Sequence, residues 1–485
     1  MERSFVLNFS SMERSWYTSL VAGRRAREDT VSSSSQGYTA LVQEALSFSF
    51  PTISPRHDII GNLADPAPFN LVHIITGMRR CGKTFFTFQL IRRLLDKGVP
   101  RRRVFYFNFA DDRLRPISSN MLNDIVEEYW RLVPEARTEG AYLFLDEVQE
   151  ADGWQGFCQR IAEHERVTLT ITGSSSKLSA DEIASTFRGR SMEHRMFPLS
   201  FREYCEFHGI ETPEPDALQR AGEVAPQKRT ELEAAFDRYL VEGGFPGVQT
   251  LDWGQRILLL QSYMRDVVAR DVVERYRRID IDLANQVALF CLRNTGCELS
   301  INNLVESLRA VGYRTSWETI NGAIRLFRQA HLLELLPEYS VSLSPDSTAT
   351  NKVYAADPGM AYAVSRANQQ DIGKRLETAV HGELLRRLAF SRIDALTSYT
   401  EPRTKRKVDF LVGDALGTDP YGLIQVTVDM SAEKTRNREM GSLAEAMRAT
   451  RLRTGTIVTL REGGDVESDY GTVSILPAWK WALLP

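Results

Sequence analysis

The first half of the chain alternates short apolar runs with longer segments in which apolar residues recur at helical spacing. Residues 71–75 and 141–145 read LVHII and AYLFL, and residues 167–172 form a β-branched run, VTLTIT. Runs of this length and composition are typical of strands buried in a parallel sheet that helices cover. The pattern therefore predicts an α/β domain built on a parallel sheet.

The first of these runs is followed by a glycine-containing loop, residues 77–84, which reads GMRRCGKT. It fits the P-loop pattern Gly-x4-Gly-Lys-Thr residue for residue. The backbone N–H groups of such a loop face phosphate oxygens, the lysine reaches the β- and γ-phosphates, and the threonine hydroxyl ligates Mg²⁺. We therefore expect ATP and Mg²⁺ as cofactors. The predicted nucleotide-binding residues are Gly77, Met78, Arg79, Arg80, Cys81, Gly82, Lys83, Thr84 and Phe85.

The second apolar run ends in Asp146 and Glu147, as the second half of a nucleotide-hydrolysing site requires. Asp146 is predicted to orient Mg²⁺ through water, so that Thr84 and Asp146 are the expected metal-site residues. Glu147 stands where a base can polarise the attacking water. The order of the two motifs predicts an ATPase that hydrolyses with a carboxylate from this strand.

Two further features are candidates for contact with the γ-phosphate. Ser174 follows the third run and is predicted to act as a sensor residue beside the γ-phosphate. A serine-rich turn without such a role is the alternative interpretation of the same residues. Arg188 and Arg190 lie near the end of the ATPase module, where an arginine supplied to a neighbouring subunit stabilises transition-state charge. A homo-oligomer is then expected. An ordinary surface arginine pair is the alternative.

The order of these motifs resembles a family of bacterial and archaeal AAA+-type ATPases fused to a C-terminal domain of unknown function. The resemblance is carried by LFLDEVQ, ITGSSSKL, FRGR and FPLSFREY, then by YLVEGGFPGV at residues 239–248 and KVYAADPGM at residues 352–360. It implies an ATPase module and a C-terminal domain similar to restriction-endonuclease-like nucleases. Cys81 departs from the small aliphatic residue usual at its position, and its similar size leads us to expect that nucleotide binding is retained.

The middle of the chain has the pattern of a winged helix. Helices are predicted at residues 283–292, 300–308 and 316–331, and a hairpin follows at residues 333–354. Arg314, Arg325 and Arg328 lie on or just before the third helix, but a helix that reads DNA usually presents more basic and amide residues, and Glu318 argues against direct reading of bases. Packing against protein therefore stays open beside contact with DNA.

The last segment has the spacing of a restriction-endonuclease-like core. Glu377 lies early on a predicted helix and Asp409 on a predicted strand, but the expected Glu-x-Lys of the next strand reads Gln425-x-Thr427. Loss of a metal-binding carboxylate and of a lysine removes charge that hydrolysis of a phosphodiester needs. We therefore expect no nuclease activity. Glu383 is the one residue suggested as a substitute for the lost metal-binding carboxylate.

Composition limits the remaining choices. The 485 residues are 43% apolar and 25% charged, with a net charge of -3, so a nucleic-acid surface has to be a local patch. Five scattered cysteines include no CxxC pair, which excludes that zinc motif. No apolar run reaches membrane-spanning length, and we expect a cytoplasmic protein without a membrane partner.

These features together predict an α/β P-loop NTPase of AAA+ type, followed by a winged-helix region and a C-terminal α/β restriction-endonuclease-like domain. The expected function is ATP binding and hydrolysis coupled to a degenerate nuclease-like module, with DNA or RNA as partner. An active ATP-regulated, metal-dependent nuclease and a slow nucleotide switch that signals by oligomerisation are the alternatives. The predicted segments are a flexible N-terminal extension at 1–53, the ATPase domain at 54–214, a helical connector at 215–280, the winged-helix-like domain at 281–365 and the nuclease-like domain at 366–485.

Overall fold

In the computed structural model, the chain forms two compact units. The first comprises Met1–Met196 and Pro246–Asp252, and the second comprises Phe197–Phe245 and Trp253–Pro485. The structure describes residues 35–115, 120–173, 186–187, 189–219, 224–339, 351–365, 371–389, 394–414 and 420–484.

The first unit is an α/β layer structure. Its described strands are β1 (Val72–Thr76), β2 (Val104–Asn108), β3 (Ala141–Asp146), β4 (Val167–Thr172) and β5 (Ser191–Arg195). Its described helices are α1 (Ser35–Ser47), α2 (Lys83–Asp96), α3 (Met121–Leu132), α4 (Pro134–Thr138) and α5 (Trp154–His164).

The five strands form one parallel sheet in the order β2-β3-β4-β1-β5. Every residue of β1, β3 and β4 is buried, as the continuous apolar runs predicted. β4 therefore separates the strand before the P-loop from the strand that ends in Asp146. Because the strands are parallel, the polar residues at their carboxyl ends meet at one edge of the sheet.

Residues 38–53 are packed onto this sheet and its helices. Val42 of α1 is fully buried in the core, and the Thr39 hydroxyl donates to Glu128 of α3. Phe48 stacks on Tyr106 with ring centroids 5.9 Å apart, and Phe50 packs against the same ring. The flexible extension expected over residues 1–53 is therefore wrong for the stretch from α1 onward, because its apolar side chains complete the core.

The second unit begins with helices. They are α6 (Phe201–Phe207), α7 (Pro215–Gln219), α8 (Pro226–Glu242) and α9 (Trp253–Asp266), which continues as a π-helical segment, Val267–Val273. The next elements are α10 (Ile281–Arg293), β6 (Cys297–Leu299), α11 (Ile301–Ala310), α12 (Trp317–Gln329), β7 (Leu333–Leu336), β8 (Asn351–Ala355) and α13 (Pro358–Val364). The three strands form an antiparallel sheet in the order β6-β8-β7.

The C-terminal segment is built around a mixed sheet of six described strands. Its elements are α14 (Ile372–Leu388), β9 (Asp394–Thr400), β10 (Lys407–Asp414), β11 (Pro420–Val426), α15 (Glu433–Thr450), β12 (Thr454–Thr459), β13 (Gly464–Glu467), β14 (Thr472–Pro477) and α16 (Ala478–Leu483). The strand order is β13-β14-β12-β11-β10-β9; β10 is antiparallel to both β9 and β11, β12 is parallel to both β11 and β14, and β13 is antiparallel to β14. Among the described residues, no helix combines the length and apolar character needed to cross a bilayer.

Candidate nucleotide site

The P-loop follows β1 and adopts backbone conformations that favour glycine. The φ angles of Gly77 and Gly82 are 141° and 108°, and Arg80 between them has a φ of 69°. Gly82 is also the N-cap residue of α2 and has no side chain to occupy the first-turn N–H groups. These donors and the positive end of the helix dipole are the elements of an anion site.

Lys83 is held inside this loop. Its ammonium donates to the carbonyl oxygens of Gly77 at 3.1 Å and Met78 at 3.2 Å, and the residue is 6% exposed. These contacts hold the positive charge at the loop, where phosphate oxygens are the stronger acceptors for an ammonium. The arrangement suits the binding of a polyphosphate.

Asp146 lies beside the P-loop and accepts three side-chain hydrogen bonds. Its Oδ2 accepts from the hydroxyls of Thr84 at 2.9 Å and Tyr106 at 2.8 Å, and its Oδ1 accepts from the Thr172 hydroxyl. Burial, and then the charge of Glu147, raise the pKa of this carboxyl group. A divalent cation reverses that effect by favouring the carboxylate, and the oxygen donors of Thr84 and Asp146 are of the hard type that Mg²⁺ takes.

Glu147 has a left-handed backbone conformation with a φ of 52°. A positive φ at a residue other than glycine carries strain and is found at functional sites more often than elsewhere. Its N–H donates to the Thr172 hydroxyl at 3.3 Å, and its carboxylate accepts from the Gln149 amide. The neighbouring strand β4 and the turn after β3 thus fix the position of this carboxylate.

Two residues of the site were not predicted from the sequence. Arg56 donates from Nη1 to the Cys81 carbonyl at 2.8 Å, and its backbone exchanges two hydrogen bonds with the Gln89 side chain on α2. Tyr106 is buried in β2 and reaches Asp146 across 40 positions of sequence. Neither residue lies in a recognisable motif. For Tyr106 the only sequence signal was its place near the end of an apolar run.

The remaining predicted residues are spread along the module. Ser174 and Arg188 lie outside the described residues. Arg190 is exposed, pairs with Glu163 at 3.2 Å and covers the ring of Phe69. It precedes Ser191, which pairs with Val72 at the amino end of β1. Arg190 is therefore at the edge of the sheet opposite the P-loop of its own chain.

A second polar cluster lies in the other unit, around the residues predicted for a nuclease-like core. Glu377 on α14 and Asp409 on β10 lie beside one another, and the ammonium of Lys352 on β8 contacts both. Gln425 on β11 donates to Glu439 of α15 at 2.8 Å. Thr427 stands at the position of the motif lysine, as read from the sequence, and a lysine from a different strand, Lys352, contacts the carboxylates.

The suggested substitute ligand Glu383 is engaged elsewhere. Its carboxylate pairs with Arg386 and Arg387 on the same helix, each at 3.3 Å. Within the part of the chain that the structure describes, no group of three or more His, Cys, Asp or Glu side chains converges to hold a metal ion.

The later sequence landmarks have a structural explanation within the second unit. Asp357, the N-cap residue of α13, accepts from the Gly244 N–H at 2.6 Å. A Cβ on Gly243 would lie 2.0 Å from the same carboxylate, so only glycine fits there. Gly243, Gly244 and Asp357 therefore join parts of the two landmark segments within the second unit, which gives these residues a packing role.

Two segments of the chain match known family models. Residues 70–205 match a family model described as an AAA domain, and residues 233–371 match a model described as a domain of unknown function. An uncharacterized protein of Methanocaldococcus jannaschii is 28% identical over 422 residues, covering 85% of this chain and 88% of the relative. One of Haemophilus influenzae is 24% identical over 335 residues, covering 68% and 78%.

Solved structures give weaker similarity. A Walker-type ATPase of Pyrococcus abyssi is 13% identical with a TM-score of 0.38, covering 70% of this chain and 98% of the other. The Aeropyrum pernix Orc1 protein in complex with DNA is 14% identical with a TM-score of 0.25, covering 68% and 90%. Scores of this size do not establish a shared fold. The AAA-domain match and the parallel five-stranded sheet together identify an AAA-type P-loop domain in the first unit.

Proposed function

We propose that the chain binds Mg-ATP at the P-loop and hydrolyses it. The observation that carries this proposal is the hydrogen bond of 2.9 Å between the Thr84 hydroxyl and Asp146. It joins the two motifs that a hydrolytic magnesium site needs, although they are 62 positions apart in the sequence.

Each group has a defined task in this mechanism. Lys83 and the N–H groups of the loop would bind the phosphates, and Thr84 and Asp146 would hold Mg²⁺. Mg²⁺, when bound, neutralises charge that develops on the β- and γ-phosphate oxygens. Glu147 orients the attacking water and takes its proton. Ser174, Arg188 and Arg190 stay proposals for contact with the γ-phosphate, the arginines acting on a neighbouring subunit of a homo-oligomer.

We further propose that nucleotide state is coupled to a winged-helix segment and a nuclease-like segment that acts on or near nucleic acid. The support for a winged helix is the order α10, β6, α11, α12, β7, β8 with one three-stranded sheet. Arg314, Arg325 and Arg328 are all exposed and so are accessible to phosphates. The support for a nuclease-like core is the order of α14, β9, β10, β11 and α15 around Glu377 and Asp409.

The test of ATP binding compares wild type with Lys83→Ala in a titration with fluorescently labelled ATP. Loss of the ammonium should weaken binding at least tenfold, or about 1.4 kcal/mol. Lys97→Ala is the matched control, because Lys97 follows the opposite end of the same helix and donates to Asn62 at 2.6 Å. Equal affinity in the two variants would contradict the assignment of the P-loop.

Hydrolysis is tested by phosphate release, with and without single- and double-stranded DNA and RNA. Stimulation by a nucleic acid that is lost in Arg325→Ala/Arg328→Ala supports the proposed partner, and stimulation that survives both substitutions places the contact elsewhere. Tight ATP binding without turnover would instead indicate a nucleotide switch. Metal-dependent cleavage of the added nucleic acid, lost in Asp409→Ala, would indicate a nuclease.

A further inference from the structure

The carboxylates of Glu377 and Asp409 share one cation that belongs to the chain itself. The Lys352 ammonium lies 2.9 Å from Glu377 Oε1 and 2.8 Å from Asp409 Oδ1. The three side chains are only 13%, 16% and 13% exposed, in the order Lys352, Glu377, Asp409. A positive charge between two buried carboxylates offsets part of their mutual repulsion and of the cost of burying them.

Other groups of the protein also donate hydrogen bonds to this carboxylate pair. The Tyr354 hydroxyl donates to Glu377 Oε1 at 2.6 Å, and the Val426 N–H donates to Asp409 Oδ2 at 2.9 Å. Gln425 accepts from the Asp409 N–H at 3.2 Å through the oxygen that a metal would otherwise use. The protein thus supplies one positive charge and hydrogen-bond donors at the place where a hydrated divalent ion would bring two charges and its water molecules.

Backbone pairing fixes the approach of Lys352. Its strand β8 is the central strand of the β6-β8-β7 sheet, where Lys352 pairs with Glu298 on one side and Leu336 on the other. Just beyond β7, the Tyr339 N–H donates to the Ser398 carbonyl at 2.7 Å, and the Ser398 N–H donates to the Pro337 carbonyl at 2.9 Å. These bonds attach the three-stranded sheet to β9 of the larger sheet, so Lys352 reaches the carboxylates from a firmly held strand.

The space on one side of Lys352 is small. The gap beside Lys352, lined also by Glu298, Tyr399 and Lys407, has a volume of about 10 Å³. That is room for one water molecule at most. A hydrated metal ion therefore does not fit in this gap beside Lys352.

We propose that Lys352 is a built-in cation that fills the divalent-metal position of the nuclease-like core and excludes metal from it, and that its removal alone opens a metal site. The proposal rests on the nuclease-like interpretation of the C-terminal segment and deepens it. Oxygen ligands lie about 2.3–2.6 Å from Ca²⁺ and about 2.0–2.1 Å from Mg²⁺. The carboxylate oxygens are 2.9 and 2.8 Å from the Lys352 ammonium, so each would have to move by less than about 1 Å to ligate an ion at that position.

The experiment measures Mn²⁺ binding to nucleotide-free, full-length protein by electron paramagnetic resonance of the unbound ion. Carboxylate sites suit Mn²⁺. Lys352→Met should bind one more Mn²⁺ per chain than wild type, with an affinity at least tenfold above any wild-type binding at these residues. The double variant Lys352→Met/Asp409→Asn should lose this additional Mn²⁺. Lys352→Arg keeps the charge and Lys407→Met removes a lysine that pairs with Glu298 instead, so both should behave as wild type.

Stability provides a second measurement. Mn²⁺ should raise the urea midpoint of Lys352→Met and leave that of wild type unchanged. A folded Lys352→Met protein that binds no additional ion would overturn the proposal, and so would wild-type binding that Asp409→Asn removes. If Lys352→Met fails to fold even with Mn²⁺, wild type is compared with Asp409→Asn. Equal Mn²⁺ binding by these two proteins supports the exclusion of metal from the carboxylate pair. No nucleic acid is present, so the result is distinct from any test of cleavage.

Discussion

Replacing Gly77 by alanine tests the geometry of the P-loop at its tightest point. A Cβ on Gly77 would lie 2.3 Å from the Met196 carbonyl oxygen and 3.1 Å from Cys81 Sγ. The Met196 carbonyl cannot retreat easily, because the N–H of the same residue donates to the Thr76 carbonyl at 2.8 Å. The loop itself therefore has to move, and with it the Gly77 carbonyl that accepts from Lys83.

The expected magnitude has two parts. The positive φ of 141° costs an alanine roughly 1–3 kcal/mol, and forcing a methyl group into an occupied space adds roughly 1–3 kcal/mol. Gly98→Ala is the control, because Gly98 also has a positive φ, 86°, but nothing lies within 4 Å of its Cβ position. That variant should lose only the strain, about 1–2 kcal/mol.

Urea denaturation and titration with labelled ATP measure the two consequences. Gly77→Ala should be less stable than Gly98→Ala by at least about 1 kcal/mol and should bind ATP at least tenfold more weakly, whereas Gly98→Ala should bind as wild type does. If the two variants have the same stability and the same ATP affinity, the packing of Met196 against the loop does not constrain the site and the reasoning fails.

Three other predictions address catalysis and pH dependence. Glu147→Gln should bind ATP as wild type does, while its rate of hydrolysis should fall by a factor of roughly 10² or more; turnover at the wild-type rate would remove Glu147 from the mechanism. Mixing Lys83→Ala with Arg190→Ala subunits should restore part of the ATPase activity if Arg190 acts on a neighbour; activity of a strictly monomeric sample that does not vary with protein concentration would argue against this. Burial and the charge of His194 lower the pKa of His73 from 6.5 to about 4, so unfolding takes up a proton in this interval and stability should fall as the pH drops from about 6.5 to 4, by up to about 3 kcal/mol. Urea denaturation at both ends of the interval measures this loss, and a His73→Asn variant with the same pH dependence would show that His73 is not its source.

Contiguous motifs were the part of the site that sequence could predict. The P-loop and the Asp146-Glu147 pair each lie within a few positions, and their place at strand ends follows from apolar runs alone. The hydroxyl of Tyr106 and the guanidinium of Arg56 reach the site only through the fold, so no local pattern identifies them. The same holds for Lys352, which is 25 and 57 positions from its two partners.

The N-terminal stretch shows a different cause of error. A serine-rich tract favoured a flexible segment, while the apolar residues after it, including Val42, Phe48 and Phe50, were the signal for burial. Such residues have a partner only once β2 and α2 are assembled, because Phe48 and Phe50 contact Tyr106 and Phe88. Composition of a short segment does not contain that information.

The attachment of Lys352 to the backbone changes what the stability of the second unit depends on. A bound metal ion stabilises a protein according to its free concentration, so a chelator removes the effect. A cation joined to the chain has an effective concentration set by geometry, which is the same in any buffer. What matters instead is the strand register of β8: a slip by one residue would turn the Lys352 side chain to the opposite face of its sheet and leave Glu377 and Asp409 without their counter-ion.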